Sequence, residues 1–184
     1  RSIELKFIPY LSWNNRGNAT MIVWLPDTIE GAQAQLSRVH FDPAKYGTIT
    51  ASSCAANGVV NAVKDGRRPA SSADATVDAW ISSGDSDKEG IQMVFDQVQT
   101  IERLGLFWVS CDQVVVPADW RMEYLLDGNW HPFEKYITDV YGVSKDRFNT
   151  IHPAAELMCE GLRINIEAQA GKSVGLFDLE LNLR

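Results

Sequence analysis

"VPADWRMEYLLDGNWHPF", residues 116–133, settles the secondary-structure class of the chain. Trp120, Met122, Tyr124 and Leu126 alternate with Arg121, Glu123 and Leu125, the period of two shown by a strand with one buried face and one wet face. Asp127-Gly128 then supplies a tight hairpin turn, and residues 130–133 the returning strand. The same texture recurs on both sides. Residues 48–52, 91–96, 101–110, 161–169 and 176–184 are further strand candidates, and Phe177, Leu179, Leu181 and Leu183 alternate with Asp178, Glu180 and Asn182. Short β-branched and aromatic runs between turn residues, without βαβ alternation or an internal repeat, predict an all-β antiparallel sandwich.

Upstream, "FIPYLSWNNRGNATMIVWLP" (7–26) reads as two strands around the turn Asn14-Asn15-Arg16-Gly17-Asn18. Pro26 ends the pair. Asp27-Thr28-Ile29-Glu30 has the spacing of a helix capping box, so 28–39 is expected to form a short helix within a connector spanning 27–47. The chain of 184 residues, long enough for one large domain or for one ordinary domain plus an appendage, is 45% hydrophobic and 22% charged, ordinary values for a folded protein. No run approaches the ~18 consecutive apolar residues of a membrane-spanning helix. The net charge of −7, with basic residues scattered apart from Arg67-Arg68, would repel a phosphate backbone, so no nucleic-acid partner is expected. The chain opens on the amphipathic run Ile3-Glu4-Leu5-Lys6-Phe7, and targeting information is expected to lie outside it.

Catalytic constellations are scarce. His40, His131 and His152 lack HxH or HExxH spacing, and Ser52-Ser53 and Ser71-Ser72 lack a GxSxG elbow. Cys54, Cys111 and Cys159 form no CxxC pair, so no zinc is expected, and the odd count leaves at least one free thiol. One stretch carries more information. Asn61-Ala62-Val63-Lys64-Asp65-Gly66, followed by Ser71, Ser72, Asp74 and Asp78, is dense in hard oxygen donors and reads either as a solvated loop or as a calcium environment. Trp120 and Trp130 read as core or strand-edge aromatics, whereas Trp80, beside the polar loop 82–90, is open to either a core or a sugar-stacking role.

Taken in order, "ITASS", "NAVKDG", "DAW", "IQMVFDQVQTIERLGLFW", "VPADWRMEYLLDGNWHPF" and "EGLRINIEAQAGKSVGLFDLEL" resemble a discoidin-like domain, the galactose-binding-like jelly-roll β-sandwich, over residues 48–184. Within that superfamily, "DGRRPASSAD", "VPADWRMEYLLDGNW", "YGVSKDRFNTI" and "LRINIEAQAGKSVGLFDLEL" look like the C-terminal region of family 127 glycoside hydrolases, the β-L-arabinofuranosidase family. The resemblance implies that residues 1–26 are the terminal strands of a preceding β-sandwich that follows an (α/α)6-barrel catalytic domain, with 27–47 as linker. The family's cysteine nucleophile and zinc cluster belong to that barrel and have no match here. The chain is therefore expected to be a non-catalytic accessory module of an exported, extracytoplasmic bacterial enzyme, either binding a plant or host glycan or only stabilising its parent. A structural calcium is implied, with Asp65 and Glu180 as side-chain ligands and backbone carbonyls near Ala62 and Gly66. Sugar is expected at loops at one end of the sandwich, with Trp80 stacking and Asn57, Arg67 and Asp112 hydrogen-bonding. The loop "SGDSDKEG" (83–90) contributes no aromatic to such a platform.

Overall fold

A computed structural model describes residues 3–7, 21–25 and 47–183. The chain divides into two compact units, 1–41 and 42–184. In the first, β1 (Ile3–Phe7) and β2 (Met21–Leu25) pair antiparallel, with Phe7 opposite Met21 and Ile3 opposite Leu25. The turn between them and the expected helix over 28–39 lie outside the described residues.

The second unit is the antiparallel sandwich. Its strands are β3 (Gly47–Ala51), β4 (Trp80–Ile81), β5 (Lys88–Trp108), β6 (Asp119–Leu126), β7 (Asn129–Pro132), β8 (Asn149–Ile151), β9 (Leu157–Glu167) and β10 (Gly175–Leu183). A 3₁₀ turn, Val60–Lys64, sits between β3 and β4. The long strand β5 serves both leaves. Its first half pairs with β3 and β9, and β9 pairs onward with β6 and β6 with β7. Its second half pairs with β10 and β8, and β10 carries β4 on its other edge. A register break between Val94 and Gln99 marks where β5 passes from one leaf to the other, the bend that an irregular ladder permits.

Alternation decides the core. Ile91, Met93, Trp120, Met122, Leu162, Ile164 and Ile166 from one leaf meet Leu104, Leu106, Trp108, Leu176, Leu179 and Leu181 from the other, all buried. Each such side chain stabilises the fold by roughly 1.5–3 kcal/mol. Phe107 and Phe177 point to the opposite side of the second leaf and join Ala79 and Val109 in a smaller cluster, with Phe148 edge-on to Phe107 at 5.2 Å between ring centres. The "YGVSKDRFNTI" segment covers the core. Gly142 O accepts both the Trp108 and Trp120 indole N–H groups, at 3.1 and 2.9 Å, and Tyr141 packs edge-on to Trp120.

The expected strands are present, with informative differences. The separate strands expected at 91–96 and 101–110 are one continuous strand, because Asp96 and the intervening Gln97 and Val98 are exposed at the bend without ending the strand. Strands β4 and β8 are too short, at two and three residues, to show a period. Gly47, placed in the linker, is the first residue of β3.

Candidate functional site

One end of the sandwich gathers the loops. Backbone hydrogen bonds from Ser52 N–H to Gly90 O, Ser82 N–H to Val174 O, Ala118 N–H to Glu167 O, Ala168 N–H to Asp87 O and Val115 N–H to Ser173 O, all 2.7–2.9 Å, tie the connections together. Serine hydroxyls reinforce them. Glu89 Oε2 accepts from the Ser52 and Ser53 hydroxyls, while Ser53 Oγ accepts the Ser83 N–H at 3.0 Å and Ser52 Oγ the Gly90 N–H at 2.9 Å. Hydroxyls that both donate and accept suit loops whose backbone groups lack a ladder partner. Glu89 itself is 5% exposed, and among the described residues its Oε1 is a buried side-chain oxygen without a hydrogen-bond donor.

The four expected sugar contacts are not assembled. Trp80 is 0% exposed, within the main core, and its indole N–H donates to Ser53 O at 2.8 Å. This corrects the stacking role: β4 pairs with β10 and turns the ring inward, where it supports the loop end from beneath. Asn57 is exposed in the turn closed by Gly58 N–H to Ala55 O, and Asp112 is exposed, at φ +42, in the turn closed by Cys111 and Val114. Arg67 lies against Asp65, its Nε 3.9 Å from Oδ2. No hydrogen bond, ion pair or ring contact joins any two of these four among the described residues.

The expected calcium ligands have other partners in this structure. Asp65 Oδ1 accepts the Arg67 N–H at 2.7 Å, Ala62 O accepts the Asp65 N–H at 3.1 Å, and Gly66 takes the turn at φ +74. Glu180 Oε1 accepts from Arg68 and Arg103, both at 2.9 Å. Asp178, two residues before Glu180 on β10, is 4% exposed, and its carboxyl is pushed up to about 7 by burial first and then by the charges of Glu180 and Asp65. Among the described residues no three His, Cys, Asp or Glu side chains are placed to hold a metal by themselves. The donor chemistry, carboxylates with backbone carbonyls, fits a hard cation and gives no thiol or imidazole set.

A second feature was not anticipated. The outer face of the first leaf carries a groove of about 610 Å³ across β3, β5, β9 and β6. Gly90 leaves part of its floor as bare backbone, and a Cβ there would sit 3.0 Å from Ile164 O. Gln92, Arg163 and Asn165 share this face, Gln92 opposite Arg163 and Gly90 opposite Asn165 in the ladder. Glu123 organises them: its Oε2 accepts from Arg163 Nε at 2.8 Å, Arg163 Nη2 at 2.7 Å and Asn165 Nδ2 at 2.7 Å. Burial raises the Glu123 carboxyl, but the hydrogen bonds from Asn165 and Arg163 and the Arg163 charge bring it below the usual range. Arg163 also covers the Trp130 ring, 4.3 Å from its centre. The signal was present in sequence as the polar set Arg163, Asn165, Glu167 alternating with Leu162, Ile164, Ile166, which reads simply as a wet face until neighbouring strands are known.

Comparison with known proteins bears on each unit separately. Residues 1–26 match the glycoside hydrolase family 127 C-terminal domain. No curated protein matches the sequence. Among solved structures, a chain of the Streptococcus pneumoniae β-galactosidase BgaA is 12% identical with TM-score 0.61, covering 76% of this chain and 98% of that one. The family 32 carbohydrate-binding module of C. perfringens NanJ, solved with galactose, is 11% identical with TM-score 0.59, covering 76% and 96%. Chitosan-binding module 1 from a Paenibacillus sp. IK-5 chitosanase/glucanase is 20% identical with TM-score 0.58, covering 78% and 99%. The sandwich thus has the discoidin-like fold of family 32 binding modules.

Proposed function

We propose that this chain is a carbohydrate-binding, non-catalytic accessory part of a polysaccharide-degrading glycoside hydrolase. The observation that carries this reading is a conjunction: a stretch matching a glycoside hydrolase C-terminal domain is joined to a sandwich with the fold of carbohydrate-binding modules. Among the described residues His152 Nδ1 lies 3.0 Å from Asp139 Oδ2 and His131 stacks on Tyr124. No helix among them is long and apolar enough to cross a membrane. The partners of this reading are an (α/α)6-barrel and a β-sandwich in the parent enzyme, acting outside the cytoplasm on plant or host glycan.

A structural calcium belongs to the same proposal. Asp65 and Glu180 would hold it with carbonyls near Ala62 and Gly66, and the ion would supply positive charge beside the buried Asp178. A glycan-binding screen of the whole chain, with calcium and with chelator, tests the function. Saturable binding to a polysaccharide without hydrolysis of arabinosides is expected. Absence of binding to every glycan would leave a purely structural domain, and turnover of arabinosides would show an enzyme.

A further inference from the structure

We infer that the groove on the outer face of the first leaf, one margin of which reaches the loop end at Ser52, Glu89 and Glu167, binds an extended, uncharged oligosaccharide chain lengthwise. This rests on the carbohydrate-binding reading above and names its site and substrate class.

Three observations carry it. The first is shape. The groove crosses four strands in the order β3, β5, β9, β6, and three intervals at the usual strand spacing give about 14 Å, a length filled by several sugar units and not by one. Its volume lies within the range of small-molecule sites, and its floor is the sheet itself, a rigid element.

The second is preorganisation. Arg163 and Asn165 are fixed by Glu123 and by the Trp130 ring, so binding costs little side-chain entropy. The Gln92 amide, half-buried in the same face, makes no hydrogen bond among the described residues and offers both a donor and an acceptor. Planar amide and guanidinium groups at fixed spacing suit sugar hydroxyls, which donate and accept together. The bare backbone at Gly90 admits the ring of a sugar unit where any side chain would stand in its way.

The third is charge. Arg163 pairs with Glu123 and Arg121 with Asp119, while Lys88 stands opposite Glu167 in the ladder. The cations that could draw in an acidic polymer are thus matched by carboxylates, which favours a neutral chain. The apolar loop residues Tyr136, Ile137 and Val140 are exposed elsewhere and take no part.

The test uses the whole chain and calorimetric titration with galacto-, arabino- and chito-oligosaccharides from the monosaccharide to the hexasaccharide, plus polygalacturonate as an acidic probe. For the series that binds, affinity is expected to rise at least tenfold from the monosaccharide to the tetrasaccharide. Gln92→Ala and Asn165→Ala should each weaken binding about tenfold or more with an unchanged melting temperature, and Asp112→Ala at the loop end should leave it intact. A second probe guards against a folding defect: Gln92→Glu keeps the side-chain length and should also weaken binding. Affinity that is independent of chain length, that survives both alanine variants, or that favours polygalacturonate overturns the groove and leaves the carbohydrate-binding reading standing. Binding to no member of any series overturns both.

Discussion

At the residue scale, Trp80 and Cys159 show how burial redirects chemistry. A tryptophan near a polar loop is a natural candidate for sugar stacking, yet Trp80 has no exposed surface and its N–H is committed to Ser53 O. Trp80→Ala is expected to lower stability by about 3–5 kcal/mol in chemical denaturation, with the loop end loosened because its support is gone. The thiols divide the same way. Cys54 and Cys111 are exposed, whereas Cys159 is buried and its thiol is pushed up to about 12, chiefly by burial. Two cysteines should alkylate readily in the native protein and the third only on unfolding. Because the folded state raises the Cys159 pKa, it holds the neutral thiol; the corresponding stability is present below about pH 9 and is lost as pH rises toward 12. Denaturation midpoints of the wild type and Cys159→Ala across that interval check it: the wild type should lose stability more steeply than the variant.

At the element scale, the hairpin of β6 and β7 and the last strand carry separate predictions. Asp127 and Gly128 both take positive φ, +50 and +70, the conformation that a two-residue hairpin turn demands. Gly128→Ala is expected to cost about 1–2 kcal/mol in urea unfolding, since an L side chain is disfavoured there even with no atom within 4 Å of its Cβ. On β10, Glu180 holds Arg68 from the loop before β4 and Arg103 from β5, and the neighbouring Asp178 adds a buried carboxyl. If calcium binds only the folded state, a hundredfold excess over Kd raises stability by about 2.7 kcal/mol. The melting temperature in millimolar calcium should therefore exceed that in chelator, and Glu180→Gln should remove the difference. An equal melting temperature in both conditions for the wild type would rule the ion out.

At the scale of the whole molecule, the second unit has its own core, drawn from both leaves of the sandwich, and its pairings close among β3 to β10. A chain beginning at Asp42 is therefore expected to fold and unfold cooperatively by itself, with coincident circular dichroism and tryptophan fluorescence transitions. Loss of its native dichroism would mean that the boundary lies elsewhere. Two strands alone are marginal in water, so β1 and β2 are expected to contribute little independent stability.

The sequence by itself determined the all-β class, most strand positions, the Asp127-Gly128 hairpin and the inner face of β6, because alternation and turn chemistry are local properties of the chain, whereas on β10 a bulge between Leu176 and Asp178 puts Phe177 on the side opposite Leu179 and Leu181 and leaves Asp178 buried. It determined the donor chemistry around Asp65 and Glu180 only through resemblance, since those residues are far apart along the chain. The tertiary structure alone decided that β5 runs unbroken through both leaves, that Trp80 faces inward from a two-residue strand, and that Glu123, Arg163 and Asn165 form one hydrogen-bonded set. These are outcomes of strand order and register. Periodicity states which side of a strand is wet, but only the neighbour across the ladder states what that side can bind.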